Sequence, residues 1–277
     1  MAGSSLKFDW QSMGDWRLVL PPSRPSEQHL HFVSRLVDGV SRDASVAVLG
    51  STIEYREVLA RSAIKNVFIF DKNIEFLRFV SALSKLELTE TIIEGDWLDT
   101  LPNFEGAFDL VLSHLTLGNI HFGHRRRFYS AISKILSDSG KFVDFVLTNE
   151  PGYFPINSIE ERFVYEPVHI GTANRFSCQA LFCSELTEKF QVVDTRRIYD
   201  DLYQMLGAKI APLIDLAQAV TPIGGCWYYG RNWDSENTER MKWFDLVATS
   251  PELPCSAYAG RAEHQVLIRR GENDGVV

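Results

Sequence analysis

Residues 46–71 constrain the fold more than any other part of the sequence. A short apolar run, a turn of small residues, an amphipathic helical pattern and a second apolar run that ends in an acid follow one another there. These parts are residues 46–49, 50–52, 53–64 and 67–71. Their order predicts a β-α-β unit with two buried parallel strands.

The turn and the terminal acid of this unit suit a nucleoside ligand. Gly50 allows a sharp backbone turn, and Ser51 or Thr52 can cap the following helix, whose N-terminal amides attract an anionic or polar group. Asp71 follows about twenty residues later, where an acid in such units binds ribose hydroxyls. The unit therefore predicts a nucleoside-binding geometry with fewer glycines than usual.

Strands and helices alternate through the first half of the chain. The predicted helices are 26–40, 74–86 and 125–136, and the predicted further strands are 91–97, 108–112 and 141–147. Such alternation predicts an α/β fold with an open parallel sheet, in which a ligand binds at the carboxyl ends of the strands.

The second half is less regular, and we predict one domain over residues 1–277. Its parts are an N-terminal helical cap (1–45), the core (46–148), a loop, helix and sixth strand (149–197), an insertion (198–262) and a last strand (263–270). Within these parts we predict helices near 158–163, 175–190, 198–206 and 208–220, with 191–197 as the sixth strand. The insertion before the last strand is longer than a connection needs, and such loops are usually functional.

Composition favours a cytoplasmic protein with a small-molecule partner. The net charge of -8 argues against a nucleic-acid phosphate backbone, and the one dense basic cluster, residues 125–127, is interpreted as a solvated helix face rather than a phosphate site. The four cysteines lack metal-site spacing. No signal peptide or membrane span is indicated, so a membrane partner is not expected, and a homodimer is kept open.

Five short segments occur in a fixed order along residues 27–148. They are Val48-Leu49-Gly50-Ser51, Ile69-Phe70-Asp71, Glu94-Gly95-Asp96-Trp97, Phe108-Asp109-Leu110-Val111-Leu112-Ser113-His114 and Leu136-Ser137-Asp138-Ser139-Gly140. In order and spacing they resemble the motifs of class I S-adenosylmethionine (SAM)-dependent methyltransferases. The resemblance implies a Rossmann-like, seven-stranded, mostly parallel sheet with helices on both faces, and SAM across the ends of its first four strands.

The resemblance implies that the first turn lies under the methionine part of SAM. Gly50, Ser51 and Thr52 form this turn, which has one glycine where these enzymes usually have two or three. Side chains at positions 51–53 must then tolerate close approach by the ligand. Glu54 would meet the ammonium group of the cofactor, or it is an ordinary acid in the first turn of a helix.

The resemblance places the adenosine part of SAM along the next two strand ends. Asp71 would bind the ribose hydroxyls and Lys72 would flank the adenosine. Asp96 would accept a hydrogen bond from the adenine amino group, with Trp97 against the ring. Ser113 would lie beside the sulfonium.

Histidine and tyrosine side chains are the candidates for catalysis. The resemblance places His114 beside the sulfonium as well, and a neutral imidazole suits proton removal near pH 7. His264 and His121 are second choices, and a structural role is the alternative for each. Tyr229 lies in the aromatic, glycine-containing run 224–233, which is the candidate substrate wall.

The sequence therefore indicates a SAM-dependent methyltransferase that acts on nitrogen or oxygen of a small molecule. One alternative is a protein that binds SAM or another nucleoside without catalysis, as a sensor or partner subunit. A nicotinamide-dependent dehydrogenase also has an acid after the second strand, but the sequence lacks GxGxxG at Gly50.

Overall fold

The computed structural model describes residues 24–147, 156–180, 192–218, 226–228, 233–251 and 262–271. Within them the strands are β1 (Ser45–Leu49), β2 (Asn66–Asp71), β3 (Thr91–Glu94), β4 (Phe108–His114), β5 (Leu136–Leu147), β6 (Val192–Asp194), β7 (Cys226–Tyr228), β8 (Phe244–Pro251) and β9 (Ala262–Arg269). The α-helices are α1 (Glu27–Asp38), α2 (Ile53–Arg61), α3 (Ile74–Ser81), α4 (Trp97–Thr100), α5 (Arg125–Ile135), α6 (Ile156–Phe163), α7 (Ile170–Ala180), α8 (Thr195–Leu206), α9 (Ala211–Gln218) and α10 (Trp233–Arg240). Short 3-10 turns follow β4, at Thr116–Asn119 and Phe122–His124.

Seven strands form one sheet in the order β3-β2-β1-β4-β5-β9-β8. Strands β1 to β5 pair in parallel, whereas β9 is antiparallel to both of its neighbours. The predicted β-α-β unit and the predicted seven-stranded, mostly parallel sheet are confirmed.

Alternating side chains of β1 bury against helices on both faces of the sheet, as expected for an internal parallel strand. Val46 and Val48 belong to a core with α1, α2 and α3. Ala47 and Leu49 belong to a second core with α5. The fold therefore has three layers. Consecutive residues of β1 pack against helices on opposite faces of the sheet.

The predicted sixth strand is shorter than expected, and its predicted place in the main sheet is wrong. Within the described residues 192–197 only β6 is extended, and it pairs with β7 in a separate two-stranded sheet. The Asp194 carboxylate accepts hydrogen bonds from the backbone N–H groups of Arg196 and Arg197, at 3.1 and 3.3 Å. This N-cap ends the strand and begins helix α8.

The strand that pairs with β9 at this edge of the main sheet is instead β8, inside the segment predicted as an insertion before the last strand. Its Phe244 is buried, but Leu246 and Val247 are 45% and 56% exposed. A register shift lies between Leu246 and Ala248. Because its apolar residues do not alternate between buried and exposed positions, the strand lacks the pattern that would have predicted it. The additional helices therefore lie between β5 and β8.

Four of these helices, α6 to α9, form what we call the helical cap, at the carboxyl ends of two strands. Helices α6 to α9 share an apolar cluster whose buried members include Phe176, Leu202 and Leu213. The same cluster contains Phe145, and the partly buried Leu115 packs against it. Since Phe145 is near the end of β5 and Leu115 follows β4, the cap lies where a ligand is expected.

Several predicted boundaries shift. Helix α3 is shorter than predicted because Ser84 Oγ bonds the Glu57 carboxylate at 2.9 Å and the Leu86 N–H at 3.1 Å, which competes with helical hydrogen bonding. Helix α7 begins earlier than predicted, at Ile170, and residues 181–190 lie outside the described ranges. No helix in the described ranges has the length and apolar content that a membrane crossing requires.

A buried ion pair joins α2 to the segment before β3, and its loss should destabilise the fold. Arg56 donates from Nε and Nη2 to Glu90 at 2.8 and 2.6 Å, and both side chains are at least 93% buried. Arg56→Met leaves the Glu90 charge uncompensated, so we expect the free energy of unfolding to fall by about 3–5 kcal/mol. Urea denaturation measures this change.

The control is the pair Arg61–Glu57, in which the arginine side chain is exposed and the glutamate side chain is partly buried. Arg61→Met should cost about 0–1 kcal/mol. Adding Glu90→Gln to Arg56→Met should restore part of the loss, because the orphaned charge is removed. Equal losses for Arg56→Met and Arg61→Met would contradict the prediction.

Candidate functional site

A crevice is expected where the chain connections diverge at the carboxyl edge of the sheet. Strand β1 lies between β2 and β4, so the connection from β1 to β2 and the connection from β4 to β5 leave this edge in opposite directions. Ligands of open α/β sheets bind at such a point. Gly50, Asp71 and His114 stand at or directly after the ends of these three strands.

Gly50 turns the chain away from β1. Its φ of +90° is a conformation that residues with a Cβ rarely adopt. Its N–H donates to the carbonyl of Phe70 at 2.8 Å, and Trp97 Nε1 donates to the same carbonyl at 2.7 Å. The indole therefore lies beside the turn, with its Cζ2 3.8 Å from where a Gly50 Cβ would be.

Asp71 is a buried carboxylate at the end of β2, with 8% of its surface exposed. Its Oδ2 accepts from the Ser51 hydroxyl, and its Oδ1 accepts from the Asn73 N–H at 2.7 Å. Burial raises the pKa of Asp71, although the bonds from Ser51 and Asn73 and the charge of nearby Lys72 oppose this rise. An ionised carboxylate has about four acceptor positions, so two remain for a ligand.

Thr52, Glu54 and Lys72 are the other residues of this region that were predicted to contact a ligand. Thr52 precedes α2 but makes no capping hydrogen bond with its side chain. Glu54 is buried and forms an ion pair with Arg24 at 2.8 Å. A bond from Glu54 to an ammonium group of a ligand would compete with this guanidinium. Lys72 is exposed beside Asp71.

Asp96 and Trp97 lie together after β3. The exposed Asp96 accepts from the Leu98 N–H at 3.0 Å and so caps the short helix α4. Trp97 is partly buried next to Gly50. The indole is thus placed near the ribose-binding acid predicted at the neighbouring strand, whereas part of the Asp96 carboxylate is already engaged.

Ser113 and His114 do not point to the same side. Adjacent residues on a strand alternate between faces, and Ser113 bonds Asp144 on β5 at 2.6 Å. Asp144 in turn pairs with the fully buried Arg240 at 3.0 Å. Burial raises the pKa of Asp144, while the Arg240 charge and the Ser113 hydroxyl lower it. Ser113 therefore belongs to a buried polar row on the α5 side of the sheet.

His114 lies on the opposite face, in a layer of aromatic and imidazole rings. Its ring stacks on Phe145 with centroids 4.8 Å apart and an interplanar angle of 9°. Phe145 also contacts His264, at 4.9 Å, and His29, at 4.4 Å. His114 is the partly exposed member, whereas His29 and His264 are buried. The site predicted around His114 thus continues inward to His264.

Tyr55 of α2 connects two of these histidines. Its hydroxyl lies 2.9 Å from His264 Nε2 and 3.4 Å from His114 Nδ1. Burial lowers the pKa of His264 well below its ordinary value, and neighbouring His29 and His114 add to this effect. Sequence reasoning did not identify Tyr55 or His29 as site residues. The His29 signal was its position three residues after the N-cap Ser26, with which it forms a capping box.

The turn after β4 closes one side of this region. Leu115 has a φ of +55°, which is unusual for a residue with a branched side chain. Its N–H donates to the Phe145 carbonyl at 2.9 Å, and the buried Thr116 hydroxyl lies 3.5 Å from the Leu49 carbonyl. These bonds hold the turn between the ends of β1, β4 and β5.

Part of the predicted substrate wall lies against this turn. The Tyr228 ring is 5.1 Å from that of His121, and its carbonyl accepts a hydrogen bond from Arg125 Nη2. Arg125 is buried and also pairs with Glu236 at 2.5 Å, so its prediction as a solvated residue is wrong. Its donors anchor β7 and α10. Tyr229 lies outside the described residues.

The comparisons with known proteins support the architecture. No protein-family model and no curated protein matches the sequence. A Rhodobacter sphaeroides protein named as a candidate Zn-dependent alcohol dehydrogenase is 18% identical, with 94% of this chain and 97% of that chain covered and a TM-score of 0.56. The PH0226 protein from Pyrococcus horikoshii is 11% identical, with coverages of 93% and 99% and a TM-score of 0.51.

A SAM-dependent methyltransferase from Methanosarcina mazei is 9% identical, with 85% of this chain and 96% of that chain covered and a TM-score of 0.50. At such identities these likenesses show the fold alone.

In the described residues no group of three or more His, Cys, Asp or Glu side chains is arranged to hold a metal ion.

Burial of His264 should make stability depend on pH. In the unfolded chain its imidazole takes a proton as the pH falls below about 6.5, but the folded protein resists this protonation. The free energy of unfolding should therefore fall by up to about 1.4 kcal/mol per pH unit from pH 6.5 down to the folded pKa. Urea unfolding at pH 7.5, 6.5 and 5.5 measures the slope.

His264→Phe should flatten this slope below pH 6.5. The matched control is Val266→Ala on the same strand, which removes buried apolar volume without a titrating group. It should lower stability by a similar amount at each pH. An unchanged slope in His264→Phe would show that His264 is not the group responsible.

Proposed function

We propose that this chain, which has the seven-stranded Rossmann-like fold of SAM-dependent methyltransferases, transfers a methyl group from SAM to nitrogen or oxygen of a small molecule. The observation that carries the proposal is the convergence of Gly50, Asp71, Trp97 and His114 at the ends of four strands that are adjacent in the sheet. Each of these residues belongs to one of the five sequence motifs.

The described residues fit an adenosine group. Asp71 retains acceptor capacity for two ribose hydroxyls after its bonds to Ser51 and Asn73. Gly50 presents no side chain at the crevice, and the Trp97 indole offers a flat apolar surface beside it. These three features account for recognition of the ribose, for backbone approach and for contact with a ring.

His114 supplies the chemistry that this chain needs to contribute. SAM, when bound, supplies an electrophilic methyl carbon whose bond to sulfur breaks with the electron pair left on sulfur, as the acceptor lone pair forms the new bond. An acceptor that carries a proton must lose it during transfer. His114 is partly exposed at the end of β4, and its imidazole can take that proton.

A small acceptor agrees with the surroundings of His114. The helical cap meets Leu115 and Phe145, and β7 lies beside the turn after β4. These elements enclose the region that an acceptor would use, and closed sites exclude water from a displacement reaction. The net charge of -8 disfavours nucleic acid as the acceptor.

The single glycine of the first turn favours a second function, binding of SAM or another nucleoside without catalysis. The Ser51 hydroxyl already bonds the carboxylate that would recognise ribose. A ligand hydroxyl that approaches the position on Oδ2 that Ser51 occupies would compete with an internal hydrogen bond at a buried group. Such competition lowers affinity unless Ser51 rotates away.

Calorimetric titration with SAM and with S-adenosylhomocysteine tests the proposal. We expect both to bind the parent protein, and Asp71→Asn to weaken both by about 10-fold to 100-fold, because hydrogen bonds to a charged group are lost. Asp43→Asn, at an exposed acid that pairs with Lys65, is the control and should leave binding unchanged.

The same protein is then offered small amines and phenols with radiolabelled SAM. Transfer of the label supports catalysis. Binding of both ligands without transfer to any acceptor in a cell extract supports the second function. Folded parent protein that binds neither ligand would overturn the methyltransferase proposal and would limit the second function to nucleosides other than SAM.

Ser51→Ala separates two roles for this side chain. If Ser51 competes with ribose for Asp71, its removal should tighten binding of S-adenosylhomocysteine by about 2-fold to 10-fold, the worth of one hydrogen bond. If Ser51 itself holds the cofactor, binding weakens instead. Ser62→Ala, which removes a serine hydroxyl that donates an exposed hydrogen bond to Asp38 at 3.2 Å, is the control.

A further inference from the structure

Tyr55 stands between a partly exposed imidazole and a buried one. Its hydroxyl is the only part of its side chain able to hydrogen-bond, and it lies 2.9 Å from His264 Nε2 and 3.4 Å from His114 Nδ1. Tyr55 is fully buried, so water does not compete for this hydroxyl. Because a hydroxyl has one proton, it can donate to only one of the two rings.

The shorter contact assigns that proton to His264. A neutral imidazole nitrogen is a better acceptor than a phenol oxygen, and a phenol is a better donor than a neutral imidazole N–H. The strong bond of the pair is therefore O–H to Nε2, at 2.9 Å. Burial favours the neutral ring of His264, and its other nitrogen, Nδ1, has no hydrogen-bond partner in the described part of the chain.

Because the Tyr55 hydroxyl donates its proton to His264, its oxygen can only accept a hydrogen bond from His114. Its contact with Nδ1, at 3.4 Å, then requires the proton of the neutral His114 ring on Nδ1. Nε2 becomes the basic nitrogen, and the second lone pair at Tyr55 is what selects this tautomer.

Packing fixes the orientation of the same ring. His114 is stacked on Phe145 at 4.8 Å and lies edge-on to Tyr55 at 5.9 Å. His29 of α1 covers Phe145 and His264 from the helical layer, at 4.4 and 4.6 Å. The ring of His114 is thus held from two sides, with Nδ1 toward Tyr55.

We propose that Tyr55 is a positioning residue, which sets the tautomer and orientation of His114 through a hydrogen-bonded row from His264 to Tyr55 to His114. The row leaves Nε2 of His114 as the nitrogen that can accept a proton. The catalytic consequence rests on the proposed methyltransferase function, whereas the tautomer itself does not.

Nitrogen NMR of protein labelled with 15N-histidine tests the row without any methyl donor or acceptor. At pH 7.5 we expect the His114 signals, assigned with His114→Gln, to show the Nδ1–H tautomer. Tyr55→Phe should shift His114 toward a mixture of tautomers and should also change the His264 signals. Tyr129→Phe removes another buried hydroxyl, one bonded to Glu236, and should leave the His114 signals unchanged.

Kinetics then tests the catalytic consequence with whichever acceptor is methylated. Tyr55→Phe should lower kcat by about 10-fold to 100-fold and leave the affinity for S-adenosylhomocysteine within about 2-fold. Tyr129→Phe should retain kcat.

Two results would overturn the row: an Nε2–H tautomer of His114 in the parent protein, and His114 signals that do not respond to Tyr55→Phe. Equal kcat in Tyr55→Phe and parent would overturn its catalytic consequence. If no acceptor is methylated but the NMR result is as expected, the proposed catalysis fails while the row stands.

Discussion

Burial of charge at the carboxyl edge of the sheet is the constraint on which the candidate site depends. Asp71 and Asp144 end up almost without solvent contact, and a buried carboxylate is tolerated only with hydrogen-bonding partners. Asp71 obtains them from Ser51 and a backbone amide, and Asp144 has a hydrogen bond from Ser113 and an ion pair with Arg240. The number of hydrogen-bond acceptor positions that remain unoccupied determines whether each carboxylate can bind a ligand. Asp71 can still receive ligand hydroxyls, whereas Asp144 is enclosed by its partners and braces β5 against α10.

The alternation of side chains along β4 separates support from chemistry. Ser113 faces the polar row on one side of the sheet, and His114 faces the rings on the other. Two consecutive residues of β4 therefore join the buried polar row of Ser113, Asp144 and Arg240 to a partly exposed imidazole. Such a division suits a site that must be held accurately yet remain open to a substrate.

Elements with clear periodicity could be predicted from sequence, and contacts between distant residues could not. The β-α-β unit was found because its apolar runs, glycine and terminal acid are local signals. Strand β8 was missed because its apolar residues Leu246 and Val247 are exposed. His114 was identified as a candidate from its motif. Its partner Tyr55 lies in an amphipathic helix, where the apolar periodicity predicts a core residue and does not indicate a hydrogen bond to His114. The bond from Ser51 to Asp71 depends on how β1 and β2 align, which the sequence does not state.

The layer of rings has a consequence for how the protein is made. His29 of α1 lies 4.6 Å from His264 of β9, although the two are near opposite ends of the described chain. During vectorial synthesis the early strands can pair while later ones are still inside the ribosome. The imidazole layer cannot close until residue 264 emerges. The crevice at the ends of β1, β2 and β4 and the layer of rings around His114 are thus completed at different times during synthesis.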